Sequence, residues 1–470
     1  MKEHLEAAQF NPVWISRISR VLLTLAASVS LTFALPAAAV EFTTLYNFTN
    51  GVSGGAPLTS VVLSSNTLYG TGTDGAGIGS FGSVYAVNTD GTGFRNVYRF
   101  TGGKDGYYPV AGLVVSSNVL YGAAYYGGTN GNGTIFAINA SSGTFTNLYS
   151  FSALVSFTNG DGANPRSGLI LSGHTLYGTT YNGGMRNGTV FAINTDGTGF
   201  TNLHTFAHSG IEGNQLYTTL AISSNNILYG TTSAGGAGIG GGTIFSLATN
   251  GTAFTVLYNF GTNTTVGGYN PYAGLVLSSN TLYGTTQSGG SWSLGTVFSI
   301  NTNAAGFTVL HNFDNTNGAQ PWGTLALSGR ALFGTTYSGG TGNYGAVYAV
   351  NTDGTGFTNL HNFYYATDGS GSEAGLIVSG HTLYGTAYSG GNASAGTVFS
   401  ISSKLQLALN PTGAKLVLSW PTNDAGFDYS GYALQSAPGL GNTFTNIPGA
   451  TSPYTNSLNS PAQFFRLISN

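Results

Sequence analysis

The sequence predicts an all-β protein: a seven-bladed β-propeller closed by its N-terminal strand, followed by a small C-terminal β-sandwich-like domain. The tripeptide Leu-Tyr-Gly, once Leu-Phe-Gly, recurs seven times at spacings of 50 to 56 residues. The segments around it are short, rich in Val, Ile, Thr, Tyr and Phe, and bounded by turn residues. The repeat region also begins with a fourth strand and stops after a third strand, which favours closure into a ring.

Each repeat contains four strand signals. Residues 374–401 show three of them, AGLIVSG, HTLYGTAYSGG and, after a glycine-rich stretch, GTVFSI. The fourth is the pattern F-x-x-L-x-x-F, as at residues 357–363. Asp-Gly at 90–91 supplies the turn residues of a tight hairpin between the third and fourth strands. Four antiparallel strands with a period near fifty residues are typical of propeller blades.

The phase of the repeat predicts how the ring closes. The repeat region opens with a lone fourth strand, Phe42 to Phe48, and its last copy stops after the third strand, Thr397 to Ile401. The seventh sheet is therefore complete only if the N-terminal strand joins it, which also hides two sheet edges. An open β-solenoid, which needs no shared sheet, remains the structural alternative.

The chain divides into three regions in this interpretation. Residues 1–39 resemble a signal peptide, because Arg17 and Arg20 precede an apolar run over 21–35 and an Ala-x-Ala pattern ends at Ala39. A membrane anchor is the other reading of this segment. Residues 40–402 form the propeller. Residues 403–470 form a small β domain, immunoglobulin-like or a sorting module, with attachment to a surface or a spacer role left open. We expect a protein that is secreted or at the cell surface.

Composition excludes several classes of function. Charged residues make up 6% of the chain, and the net charge is −3, so no basic face exists for nucleic acid. The absence of cysteine excludes disulfides, cysteine zinc sites and a thiol nucleophile. We expect no cofactor and no metal site, no membrane span in the mature chain, and a monomer.

One stretch carries a family resemblance. The pattern AGLVLSSNTLYGTTQSGG at 273–290, followed by GTVFSINT and F-x-x-L-H-x-F, resembles the GloVer, or choice-of-anchor, tandem repeat of secreted bacterial proteins. The resemblance covers residues 42–402, and the first copy departs from it with Thr73, Asp74 and Gly75 in place of the paired glycines. The resemblance to kelch repeats is only architectural. The family resemblance implies export and a propeller-like fold but no established reaction.

Comparison of the copies identifies no catalytic residue. His204, His311 and His361 stand where other repeats have tyrosine, so the position needs an aromatic ring rather than a titrating group. The hairpin carboxylates fit turn chemistry, since other copies have Asn there; they are Asp90, Asp196 and Asp353. A second set of carboxylates precedes the first strand, and it could serve a glycan hydrolase or lyase as the alternative function; its members are Asp105, Asp161 and Asp368.

Aromatic residues at the ends of second strands are the candidate ligand-binding site. Aromatic faces in a nearly uncharged surface suit stacking on sugars or packing against a protein. The candidates, including one tryptophan from a neighbouring loop, are Tyr125, Tyr181, Trp292, Tyr337 and Tyr388. The leading hypothesis is a non-catalytic binding or scaffold protein for a neutral polysaccharide or a cell-surface protein. A purely structural role, in which these tyrosines cap the blades, is the competing interpretation.

Overall fold

A computed structural model describes thirteen stretches of the chain. They are residues 40–49, 54–73, 81–207, 210–238, 240–261, 267–403, 407–412, 415–420, 423–424, 426–428, 432–438, 442–457 and 464–469. The predicted signal peptide, residues 1–39, lies outside the described residues. Two compact units are present, one formed by Phe42–Ser402 and the other containing Ser403–Asn470. Within the described residues, no helix has the length and apolar character needed to cross a membrane.

The larger unit is built from four-stranded sheets. Six sheets take four consecutive strands each, paired antiparallel in chain order. They are β2 (Val62–Ser64), β3 (Thr67–Gly72), β4 (Ser83–Asn88) and β5 (Arg95–Arg99); β6 (Val114–Ser116), β7 (Val119–Ala124), β8 (Thr134–Asn139) and β9 (Phe145–Ser150); β10 (Ile170–Ser172), β11 (Thr175–Thr180), β12 (Thr189–Asn194) and β13 (Thr201–Thr205); β14 (Ala221–Ile222), β15 (Ile227–Thr232), β16 (Thr243–Ala248) and β17 (Thr255–Asn259); β18 (Val276–Ser278), β19 (Thr281–Thr286), β20 (Thr296–Asn301) and β21 (Thr308–Asn312); and β22 (Ala326–Ser328), β23 (Ala331–Thr335), β24 (Ala346–Asn351) and β25 (Thr358–Asn362).

A further four-stranded sheet joins the two ends of the repeat region. It contains β1 (Val40–Asn47), β26 (Ile377–Ser379), β27 (Thr382–Ala387) and β28 (Thr397–Ser403), in the order β1-β28-β27-β26. Just beyond β1, the backbone N–H of Phe48 donates to the carbonyl of Gly396 at 3.0 Å. The all-β class and the four-stranded sheets expected from the sequence are confirmed.

The apolar core lies between successive sheets. One buried cluster combines Tyr121 and Phe151 of one sheet with Leu176 and Phe191 of the next. Another combines residues at opposite ends of the larger unit, with Phe48 and Tyr85 packed in the same cluster as Val398. Because each sheet has apolar residues on both faces, every sheet in these clusters needs a neighbour on each side.

The glycine of Leu-Tyr-Gly makes room for a ring on the adjacent strand. Gly178 on β11 is directly opposite Phe191 on β12, and Phe191 is fully buried. A methyl group on Gly178 would lie 2.6 Å from Cζ of Phe191 and 2.7 Å from Cδ2 of Leu169. The same pairing of glycine with an aromatic residue occurs in β19–β20, where Gly284 is opposite Phe298. The recurring tripeptide is therefore a packing requirement.

We expect Gly178→Ala to destabilise the protein by about 1–3 kcal/mol, because the methyl group displaces a ring in a close-packed core. Thermal or urea denaturation measures this change. The matched control is Gly160→Ala, since a methyl group there would meet nothing within 4 Å. The control should stay within about 0.5 kcal/mol of the parent protein. Equal stabilities of the two variants would contradict the packing role.

The C-terminal unit also consists of strands. They are β29 (Ala408–Thr412), β30 (Lys415–Ser419), β31 (Asn423–Asp424), β32 (Phe427–Asp428), β33 (Tyr432–Ala437), β34 (Thr445–Asn446), β35 (Tyr454–Ser457) and β36 (Phe464–Ser469). They form two three-stranded sheets, β29-β30-β35 and β34-β33-β36, and the hairpin β31-β32. Buried side chains within this unit include Leu418, Trp420 and Leu434. The comparison with an immunoglobulin-like sandwich or a sorting module stays a prediction.

Candidate ligand-binding site

The hairpin carboxylates shape turns, as expected. The backbone N–H and the hydroxyl of Thr92 both donate to Oδ1 of Asp90, at 2.9 and 2.7 Å. These hydrogen bonds hold the pKa of Asp90 below its ordinary value. The same two bonds recur between Thr198 and Asp196. Asn250 makes them with its amide oxygen, which shows that the turn needs an acceptor rather than a charge.

The second set of carboxylates accepts hydrogen bonds from the fourth strand and from the loop that follows it. Asp161 accepts hydrogen bonds from the Tyr149 hydroxyl at 2.9 Å, from the backbone N–H of Ser152 at 2.8 Å and from the Ser152 hydroxyl. Asp105 accepts from Tyr98 and from the backbone N–H of Thr101. Both carboxylates are buried. The carboxylates thus serve as acceptors inside their own repeats.

These contacts explain why Tyr and His alternate in the fourth strand. Tyr149 stacks on Phe200 with ring centres 3.9 Å apart, and His204 stacks on Phe254 at the same distance. Each also bonds to an acidic side chain, and the partner of His204 is Glu212. Burial lowers the pKa of His204 despite the opposing effect of Glu212. The position requires a flat ring with a polar atom at its far end.

A cavity of about 120 Å³ is lined by residues from all seven copies of the sequence repeat, and we call it the shared cavity. Each repeat contributes the residue that follows the proline, or its equivalent, ahead of the first strand. This position differs from repeat to repeat, although the flanking residues are similar. Its occupants are Leu58, Val110, Arg166, Tyr217, Tyr272, Trp322 and Glu373.

Aromatic side chains form a continuous series of contacts, and the three at its centre line this cavity. The rings of Tyr272 and Trp322 are stacked with centres 4.8 Å apart and an angle of 7°. Tyr217 meets Tyr272 edge-on at 4.8 Å, and Tyr181 meets Tyr217 at 5.1 Å. Tyr337 extends the series beyond Trp322 at 5.8 Å. We call these five residues the aromatic arc.

The structure brings some of the sequence-predicted site residues together. Tyr181 and Tyr337 belong to the aromatic arc, and the ring of Tyr125 lies 6.0 Å from the guanidinium carbon of Arg166. Tyr388 occupies the equivalent position after β27 and is partly buried. Trp292 lies in the turn between β19 and β20, is 65% exposed and stands outside the arc. The arc therefore unites two of the five candidates and places a third beside Arg166.

Two charged groups also line the shared cavity. The guanidinium carbon of Arg166 lies 4.5 Å from the centre of the Tyr217 ring. Burial raises the pKa of Glu373 to about 7, and the charge of Arg166 acts in the opposite direction. Burial also raises the pKa of Tyr125, to about 12. Over the neutral pH range, Glu373 is therefore the group in this cavity whose charge changes.

Sequence reasoning missed Arg166, Tyr217 and Glu373. Comparison of the repeats identifies residue types that recur, whereas these three residues occupy the same position of the repeat with different side chains. The available signal was the variable residue after the proline, flanked by similar sequence in every copy. Among the described residues, no group of three or more acidic or histidine side chains could hold a metal ion.

A model of the Gloeobacter/Verrucomicrobia repeat matches three stretches of the chain, residues 26–153, 150–269 and 240–415. This chain belongs to the Gloeobacter/Verrucomicrobia repeat family. The match agrees with the resemblance carried by the Leu-Tyr-Gly repeats. No curated protein matches the sequence.

One solved structure supports the fold of this member of the Gloeobacter/Verrucomicrobia repeat family. The extracellular domain of the putative one component system BT4673 from B. thetaiotaomicron is 12% identical, with a TM-score of 0.50. That match covers 82% of this chain and 45% of the other. A chain of a nidogen/laminin complex is 14% identical, with a TM-score of 0.37, and the match covers 60% of this chain and 90% of the other. TolB from Acinetobacter baumannii is 14% identical, with a TM-score of 0.37, and the match covers 59% of each chain. The similarity to the BT4673 domain concerns the fold alone, and that fold is propeller-like.

Proposed function

We propose that this chain is an exported, non-catalytic protein that binds a polysaccharide through the aromatic arc of a closed seven-bladed propeller. The observation that carries the proposal is the aromatic arc. Its five rings contact one another in succession, and its central rings line a cavity to which every repeat contributes. Export rests on the signal-peptide pattern of residues 1–39.

Contacts between the two ends of the repeat region support the closed ring. The first strand lies at the edge of the last sheet, beside β28. The backbone N–H of Ala56 donates to the carbonyl of Ala395 at 2.9 Å, and the Thr386 hydroxyl donates to the carbonyl of Thr59 at 3.1 Å. These bonds join the first and seventh repeats. Sheets arranged as blades of one ring would bring all seven variable positions to a single cavity.

The variable position favours binding over a purely structural role for the rings. Leu58 and Val110 occupy it in two repeats, so the fold does not need an aromatic side chain there. Tyr272 and Trp322 are nevertheless stacked, and both line the cavity. Aromatic faces suit the apolar faces of sugar rings, while their polar atoms suit sugar hydroxyls. A mostly neutral polysaccharide fits a chain with few charges.

The test follows retention of residues 41–470 on a panel of immobilised polysaccharides, together with the release of reducing ends. We expect retention without release, and about tenfold weaker binding in a variant with both Tyr272→Ala and Trp322→Ala, since clustered aromatic residues dominate the energy of such surfaces. Trp292→Ala is the matched control because Trp292 lies outside the arc, and it should bind like the parent protein.

Three outcomes would contradict the proposal. Release of reducing ends would identify an enzyme. Failure of every polysaccharide to retain the protein would indicate a protein partner or a structural role. An equal loss of binding in Trp292→Ala and in the arc variant would place the binding surface elsewhere.

A further inference from the structure

The shared cavity is lined by the positive charge of Arg166, which makes no ion pair within 4 Å among the described residues. The titratable groups that line it are Arg166, Glu373, Tyr217 and Tyr272. Among the described residues, no carboxylate oxygen lies within 4 Å of the Arg166 guanidinium. Arg166 instead lies over the Tyr217 ring, with its guanidinium carbon 4.5 Å from the ring centre, and 6.0 Å from the centre of the Tyr125 ring. Its remaining donors are available to a ligand, and a guanidinium matches the geometry of a carboxylate.

A second donor in the same cavity lacks an acceptor. Nε1 of Trp322 is buried and has no hydrogen-bond partner among the described residues. An unpaired buried N–H is destabilising, so an oxygen atom from a ligand would stabilise this arrangement. Trp322 and Arg166 come from different repeats and line one cavity, so a ligand in this cavity would lie beside both residues.

We propose that the shared cavity binds the carboxylate of an acidic sugar, a uronate unit of the polysaccharide, through Arg166 and the indole N–H of Trp322. This inference rests on the proposed function and narrows its ligand class. The sugar ring stacks on the aromatic arc, and the carboxylate enters the cavity. A wholly neutral sugar would bring no counter-charge to Arg166.

Glu373 makes this binding depend on pH. Burial raises the pKa of Glu373 to about 7. Protonated Glu373 can donate a hydrogen bond to the ligand carboxylate, whereas ionised Glu373 repels it. The sugar carboxylate stays ionised above about pH 4.5, since its pKa resembles the α-carboxyl value of about 3.5. Tyr217 and Tyr272 stay neutral because burial raises their pKa values. Affinity therefore rises as the pH falls from 8 to 5.5.

The size of the effect follows from the protonated fraction of Glu373. With a pKa of about 7, roughly one molecule in eleven carries the proton at pH 8, and nearly all do at pH 5.5. If only the protonated form binds well, the dissociation constant is about tenfold larger at pH 8. Glu373→Gln should reduce this ratio to about one.

The experiment titrates residues 41–470 with hexamers of galacturonate, mannuronate and glucuronate, and with their methyl esters, in a calorimeter. We expect at least one acid to bind about tenfold more tightly than its ester at pH 5.5, with the pH dependence described above. Arg166→Met should remove the preference for the acid. Asp353→Asn, which changes an exposed turn carboxylate, is the control and should keep the tenfold pH ratio.

Several results would overturn the inference. Equal binding of acid and ester would leave glycan binding intact but remove the carboxylate from the cavity. Equally tight binding of a sulfated glucan would indicate general attraction of anions. An unchanged pH ratio in Glu373→Gln would exclude Glu373 as the titrating group. If neither the acids, the esters nor the polysaccharide panel bind, both the inference and the proposed function are wrong.

Discussion

Deletion of residues 42–48 is expected to leave a chain that unfolds or aggregates. Phe48 is fully buried and lies 5.0 Å from the Tyr85 ring centre, while Phe42 stacks on His361 at 3.8 Å. Full burial of Phe48 contributes about 1.5–3 kcal/mol, and the partly buried Phe42 and Leu45 each contribute less, so the three together contribute roughly 3–6 kcal/mol. Typical domains are stable by about 5–15 kcal/mol, so the deletion removes a large part of that stability.

Size-exclusion chromatography and thermal denaturation measure the result. Phe48→Ala is the graded version and should cost about 3–5 kcal/mol, because it leaves a cavity in the core. Thr43→Ala, in the same strand but at an exposed position, is the control and should change stability by less than about 0.5 kcal/mol. A deletion variant that stays monomeric with unchanged melting would exclude the closed ring and favour an open solenoid.

The sequence predicted the sheets well because their requirements are local and repeated. Gly178 must be small wherever an aromatic ring such as Phe191 lies opposite, so each repeat preserves the tripeptide. The hairpin turn needs an acceptor two residues before Thr92, so Asp or Asn recurs there. A strand at the start of the repeat region was also predictable, because residues 42–48 carry the apolar pattern of the other fourth strands, and β1 lies there.

The candidate site could be predicted only in part, because it depends on residues that are far apart in sequence. Tyr181 and Tyr337 were identified from their positions at strand ends. Arg166 and Glu373 are more than two hundred residues apart and meet only because all repeats converge on one cavity. Trp292 was included for its residue type, although its loop holds it outside the arc. Sequence could not show this, because exposure depends on how the loop lies against its sheet.

Substitution of the acidic loop residues distinguishes a structural role of these carboxylates from a catalytic one. Asp161→Ala would leave the Tyr149 hydroxyl and the backbone N–H and hydroxyl of Ser152 without their acceptor. Bonds to a charged acceptor contribute about 1.5–3 kcal/mol each. We therefore expect a loss of at least about 3 kcal/mol of stability, measured by urea denaturation, with polysaccharide retention of the folded fraction unchanged.

The chain itself supplies the control for this substitution. In the sixth repeat, Asn317 accepts the backbone N–H of Asp314 at 3.1 Å, at the position where Asp161 accepts that of Ser152. Asp161→Asn should therefore be much milder than Asp161→Ala, with a loss of about 1 kcal/mol, because an amide oxygen keeps one acceptor in place. If Asp161→Ala instead melted like the parent protein while abolishing a release of reducing ends, the carboxylate would act in chemistry, and the glycan hydrolase or lyase alternative would replace the binding function.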